Sequence, residues 1–372
     1  MSGKRAAGLL VAVVALVVLA TAGGCAAVSF DECPRDRLGC LPFPGPLTLY
    51  ATADPAHLGT HRYGSVPRLS ADDEVERGII YTARAGFLDL AHLRIAVDWT
   101  RFNTGKVRAA IDRGDAEVAV PGPDWAVLHV KLNYPPDWSD MPPAERSRFA
   151  DDASLQLGKR LAYVMLTWHE VTTWFGYRAI FFVDERPSSF TYDDTVAHLV
   201  GLRVAERAIR DGTRDFDHAV TAALDAELKR LGAATPEQTD AAARAVEGKW
   251  WANNLPLKRQ AHVDWTESVV RPWLVPGLPF CAGAVEPEAF DVPRLTTAAG
   301  RDVSRFAEIE LEPRIVHAEA MRGYLPGRPK RFRDSAELPA LLTVVQGQMR
   351  ELQGPDVERP WPGATPVPLP PA

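Results

Sequence analysis

Three stretches of the sequence set a histidine beside a carboxylate on helix faces that are otherwise apolar. Asp89, His92, Ala96 and Trp99 recur at three- and four-residue steps and share a face with Ala85 and Ile95. Between Leu161 and Tyr177 the only residues of charged type are His169 and Glu170, set among Met165, Leu166, Trp168, Val171, Trp174 and Phe175. Asp194 and His198 stand one turn apart on a stripe with Ala197, Gly201, Ala205 and Ala208, small residues that invite a close neighbouring helix. Arg84, Arg94, Asp98 and Arg101 point away from the first face, and Arg203, Glu206, Arg207 and Arg210 lie opposite the third.

Burying a lone carboxylate costs several kcal/mol, of the order of a whole stability margin, unless it is paired or neutralised. The three pairs are therefore expected to face one another. Convergent imidazoles and carboxylates from separate helices hold a divalent metal such as zinc. A His-carboxylate pair with displaced pKa values instead moves protons. A third reading is purely structural, with the pairs holding helices in register. On the metal reading His92, His169 and His198 are ligands, and Glu170 and Asp194 are the catalytic carboxylates. Glu170 takes the proton of an activated water, and Asp89 orients His92 from behind.

Other chemistries lack their motifs. The stretch WHEVTT at 168–173 opens like a zinc-protease helix, but Thr173 stands where the second histidine belongs. The spacing of Asp89 and His92 resembles half of a di-metal carboxylate site, with no Glu and no second copy. No nucleophile elbow and no phosphate-binding glycine loop occurs. Trp250 and Trp251 followed by Asn253 and Asn254 suit sugar stacking in composition, but read as core tryptophans. His129, His218, His262 and His317 have no matching inward carboxylate and read as surface or core residues.

Hydrophobic periodicity predicts the elements that position these groups. Long helices are expected over 86–115, with a break near 103–105, and over 150–175 and 191–211. A helical hairpin follows over 216–231 and 235–251, and a last helix over 335–352. Residues 127–133, 177–183 and 307–313 alternate as strands, the last as an edge. Residues 70–74 offer a helix entry. The expected fold is α+β and predominantly helical, one large domain over 65–354 with a small β-sheet.

With 372 residues, 46% hydrophobic and 24% charged, the chain can bury a large core, and its net charge of -6 gives no support to nucleic-acid binding. Much of that hydrophobicity sits at the start. Lys4 and Arg5 precede an apolar run over 9–19 and small residues up to Cys25, which reads as a signal peptide over 1–24. The run is too short to span a bilayer. Cys25 after Gly23 and Gly24 resembles a lipobox, in which the cysteine is acylated, although Ala22 replaces the usual larger aliphatic residue. Cleavage there leaves 40 basic against 48 acidic residues. The partner so implied is the membrane, reached through a lipid anchor.

Residues 25–64 then form a tether and irregular lead-in, in which Cys33 and Cys40 bracket a turn that a disulfide could close. Cys281 is left as an inert thiol in apolar surroundings. A Pro-rich tail over 355–372 is expected to stay extended and solvated.

The blocks GIIYTARAGFLDLAH at 78–92, WHEVTTWFGY at 168–177 and SSFTYDDTVAH at 188–198 resemble a family of bacterial lipoproteins known only as a domain of unknown function. The resemblance implies a lipid-anchored protein of the cell envelope and brings no activity, fold or ligand set. The expected function is a membrane-anchored, metal-dependent hydrolase acting on cell-envelope material. The alternative is a non-catalytic lipoprotein that binds another envelope component.

Overall fold

The computed structural model describes Pro34, Arg37 and residues 52–64, 78–178, 186–252, 257–263, 268–281, 286–356 and 359–360. The signal segment, Cys25, Cys33, Cys40, residues 70–74, most of the strand expected over 177–183 and everything past Pro360 lie outside them. Among the described residues no helix is long and apolar enough to cross a membrane.

A hairpin precedes the first long helix, where the sequence pattern had suggested helix from residue 86. Strands β1 (Ile79–Thr82) and β2 (Gly86–Asp89) pair antiparallel, with Ile79 opposite Asp89. Every residue of both strands is buried, so no inside-outside alternation marked them as strands. Helix α1 (Leu90–Arg113) follows directly and runs unbroken through 103–105. It closes at Gly114, whose positive φ of 73° lets its N–H reach back to the carbonyls of Ala110 and Ile111.

Helix α2 (Pro143–Trp174) starts seven residues before the expected position, because Pro143 sits in its first turn, where the missing N–H is harmless. Helix α3 (Asp194–Arg210) completes the group, and α1 packs against both α2 and α3. Two glycines set the spacing. A methyl at Gly158 of α2 would collide with Thr104 of α1, and one at Gly201 of α3 with the Leu93 carbonyl oxygen. The small-residue stripe on α3 thus lies against α1.

Helices α4 (Phe216–Leu231) and α5 (Pro236–Ala245) form the hairpin, joined through Gly232 and a capping box between Thr235 and Gln238. The second helix is shorter than its expected span to residue 251. Trp250 is instead buried against Tyr192, Phe87 and Trp273 in a satellite apolar cluster.

The main sheet has four antiparallel strands in the order β6-β5-β4-β3, formed by β3 (Glu117–Pro121), β4 (Ala126–Leu132), β5 (Ala307–Pro313) and β6 (Phe332–Arg333). The segment read as an edge, 307–313, is therefore interior, paired with β4 along its length and with β6 over two residues. Helices α6 (Ala318–Gly323) and α7 (Glu337–Gln353) complete an α+β fold. The start of the Pro-rich tail is held, since the Asp356 and Pro360 carbonyls accept bonds from Arg259 and Trp250.

Candidate metal centre

The start of α1, the end of α2 and the start of α3 build the site, with the last residue of β2 beside it. Asp89, the last residue of β2, caps α1: its Oδ1 accepts the N–H of Ala91 at 2.8 Å and of His92 at 3.4 Å. This fixes His92 in the first turn of α1. Glu170 lies near the end of α2, where its Oε2 accepts the Phe190 N–H at 2.7 Å and its carbonyl accepts the Ser189 hydroxyl at 2.6 Å. Thr191 then closes on Asp194, donating its N–H at 2.8 Å and its hydroxyl at 2.7 Å to Oδ2. Asp194 opens α3, and His198 follows one turn later.

His92, Glu170 and His198 converge, each offering one ligand atom within 4.8 Å of the other two. Tetrahedral zinc with bonds near 2.1 Å needs ligand atoms about 3.4 Å apart, so a small contraction closes the set. Glu170 Oε1 and His198 Nε2 are buried and have no hydrogen-bond partner. Buried polar atoms are nearly always satisfied, and two unsatisfied ones within a group of three candidate ligands fit a cation. Two imidazoles and one carboxylate are also the donor set of open catalytic zinc sites and of non-haem iron sites.

Asp194 and Asp89 stand beside His92 rather than in the triplet. Asp194 Oδ1 lies 2.9 Å from His92 Nδ1, and Asp89 Oδ2 lies 3.7 Å from it. Burial alone would push the His92 imidazole down, but Asp194 and Asp89 outweigh it and raise it to about 10. Burial and the nearby Asp194 raise Glu170 to about 7. Burial and the neighbouring His92 hold His198 well below the ordinary histidine range, which leaves it neutral. The His92 and His198 rings meet edge to face, with centroids 5.2 Å apart.

His169 does not join the triplet. It precedes Glu170 in α2 and leaves the helix about 100° away from it, so its ring meets a different partner. Its Nδ1 is instead 2.7 Å from Asp124 Oδ2, which the Thr172 hydroxyl also reaches at 3.2 Å. Burial would lower His169, but Asp124 overrides it and raises it to about 9. Asp124 escaped the sequence reading because it sits alone in the β3–β4 turn, where an aspartate after proline is ordinary turn chemistry.

A second buried ionic group occupies α1 beyond the site and corrects the expectation that Arg94 and Asp98 face away from the interior. Both are fully buried. Asp98 Oδ1 meets His61 Nε2 at 2.8 Å, and Oδ2 accepts from Arg37 Nε at 3.0 Å and Nη2 at 2.9 Å. Arg94 donates to the Leu58 carbonyl at 2.9 Å. The group ties residues 37 and 58–61 of the lead-in to α1. Of the other histidines, His129 bridges the sheet surface to Glu312 at 2.7 Å and His262 is half-buried, its imidazole pushed down to about 4 by desolvation. Cys281 is half-buried and its thiol is raised by burial, as an inert cysteine should be.

Comparison with known proteins gives a family match. The family model described as "Protein of unknown function (DUF4056)" covers residues 25–261, well over half of the chain, and the chain belongs to that family. No curated protein and no solved structure matches it.

Proposed function

We propose that this member of a family without assigned function is a divalent-metal-dependent hydrolase whose ion is held by His92, Glu170 and His198. The observation that carries the reading is the convergence of three ligand atoms from three helices, two of them buried and without a hydrogen-bond partner. A structural role alone would favour satisfied carboxylates, as in Asp98, both of whose oxygens have partners.

A bound divalent ion supplies Lewis acidity and lowers the pKa of a water in the open position. The chain's own residues do the rest. Asp194 and Asp89 hold the His92 ring, as carboxylates behind metal-bound histidines do. The Phe190 N–H holds one Glu170 oxygen and so aims the other. With Glu170 a ligand, the proton chemistry falls to His169, whose ring Asp124 keeps protonated with its imidazole raised to about 9, so that it is the proton donor to the leaving group. Asp124 fixes the Nδ1 of that ring, and its side chain is 35% exposed, so Nε2 is open to a substrate.

Attachment through an acylated Cys25 and an envelope substrate belong to the same proposal. They rest on the signal-like segment and the lipobox resemblance. Elemental analysis of the purified chain tests the metal. One equivalent of a divalent transition metal is expected, falling to trace in Glu170→Gln and His198→Ala. A wild-type protein that stays metal-free after incubation with zinc, manganese and iron(II) sinks the reading. Radiolabelled palmitate incorporated by the wild type but not by Cys25→Ser checks the anchor.

A further inference from the structure

The tip of the β3–β4 hairpin has a conformation its sequence does not favour. Pro123 to Ala126 make a tight turn closed by the Ala126 N–H on the Pro123 carbonyl at 3.1 Å. Its two central residues, Asp124 and Trp125, both have positive φ, 52° and 58°. Such a turn strongly prefers Asn or Asp followed by Gly, because the left-handed region is open to glycine and costs a bulky residue about 1–2 kcal/mol. Here a tryptophan occupies the glycine position. Strain of this kind persists where the surroundings over-determine it, and it clusters at ligand clamps and active sites. The surroundings are visible: Gly122 donates to Ala126 at 2.9 Å, and Arg314 donates to the Trp125 carbonyl at 2.8 Å.

The two strained residues serve different directions. Asp124 is buried and holds His169 of the candidate centre. Trp125 is 42% exposed, one of few large hydrophobic side chains left open among the described residues. Tyr177 adds a ring whose centroid is 6.4 Å from that of His169. The hairpin tip therefore carries an open indole one residue from the anchor of His169.

We infer that the Pro123–Ala126 turn is the substrate-facing wall of the site and that Trp125 stacks on a pyranose ring of a glycan substrate. The inference rests on the proposed reading of the centre and names its substrate class. Sugars offer an apolar C–H face to an aromatic ring and hydroxyls to polar side chains; Trp125 supplies the open ring, and the residue before it anchors the polar His169. An acyl chain would instead need a continuous apolar patch. The strand beside this turn is charged, with Glu312 paired to Arg314 at 3.1 Å and to His129 at 2.7 Å.

The test is titration of the full chain with hexasaccharides of β-1,4-linked glucose, mannose and N-acetylglucosamine, read by calorimetry, with phosphatidylglycerol vesicles in parallel. The wild type should bind one of these sugars with Kd below about 1 mM, and Trp125→Gly should weaken it by about tenfold or more, with Trp125→Phe close to wild type. Because glycine suits the turn, Trp125→Gly should keep or raise the melting temperature and leave metal content unchanged. Absence of sugar binding, equal sugar binding by Trp125→Gly, a large loss of stability in that variant, or Trp125-dependent vesicle binding in place of sugar binding would each overturn the assignment. A metal-free wild type that still binds sugar through Trp125 would separate failure of the metal reading from failure of this one.

Discussion

His92 Nδ1 and Asp194 Oδ1 lie 2.9 Å apart although their residues are over a hundred positions apart in the chain and begin different helices. The contact exists because Asp89 caps α1 on one side and Thr191 pins the other Asp194 oxygen on the other. Asp194→Asn keeps the shape and removes the charge. Zinc affinity, measured by competition with a chromophoric chelator, should fall about 10–100-fold, as for other carboxylates behind a metal-bound histidine. Unchanged affinity would remove Asp194 from the centre.

Glu170 distinguishes a metal centre from a helix-register device. Its carboxyl is raised to about 7 by burial and by Asp194, so ionising it in the metal-free protein is unfavourable. Glu170→Gln should leave the melting temperature of the chelator-treated protein unchanged or higher. In the presence of zinc at about 100 times its Kd, the wild type should gain about 2.7 kcal/mol over its metal-free form and the variant should gain almost none. A destabilised metal-free variant would favour the structural role.

The packing of α3 on α1 makes a sharper stability test. Gly201→Ala drives a methyl into the Leu93 carbonyl oxygen, which is backbone and cannot rotate away. A loss of about 1–3 kcal/mol is expected from urea denaturation, the range of overpacked cores. Gly212→Ala, with open space around it, serves as the control.

The group around Asp98 makes the fold sensitive to acid. Burial would raise Asp98, but Arg37 and His61 hold it below the ordinary carboxylate range. Its stabilisation is present above the unfolded value of 3.8 and is lost as pH falls toward the folded one. His61 is lowered, first by burial, so the unfolded chain takes up its proton more readily. That stability too is present above the unfolded value of 6.5 and declines below it. In Glu170→Gln, which removes the opposing contribution of a carboxyl raised to about 7, the free energy of unfolding should therefore decrease from about pH 6.5 downward. In that background His61→Gln should flatten the slope between about pH 5 and 6.5 and leave the more acidic limb, seen in urea titrations at stepped pH.

Much of this arrangement was legible in the residues because burial leaves a pattern on a helix. The apolar surroundings of His169 and Glu170 and the small-residue stripe beside His198 marked faces that pack, and those faces do pack. What period alone could not resolve was direction within a face. His169 and Glu170 are adjacent, and a tertiary partner decided which of them joins the triplet and which stands beside it. That partner, Asp124, sits in a turn with no periodicity. The same holds for Asp98, whose burial depends on Arg37 and His61 arriving from a distant, irregular segment. The β1–β2 hairpin was hidden for a different reason, since strands buried on both faces show no alternation.

The sheet places a boundary question on the family itself. The family match ends at residue 261, yet β4 finds one of its two neighbours in residues 307–313, with seven residue pairs in register. A recombinant fragment cut at the end of the match would expose the backbone donors and acceptors along that side of β4, an open template for strand addition and aggregation. The hereditary signature and the cooperative folding unit thus have different lengths, and expression trials should be designed to the longer one.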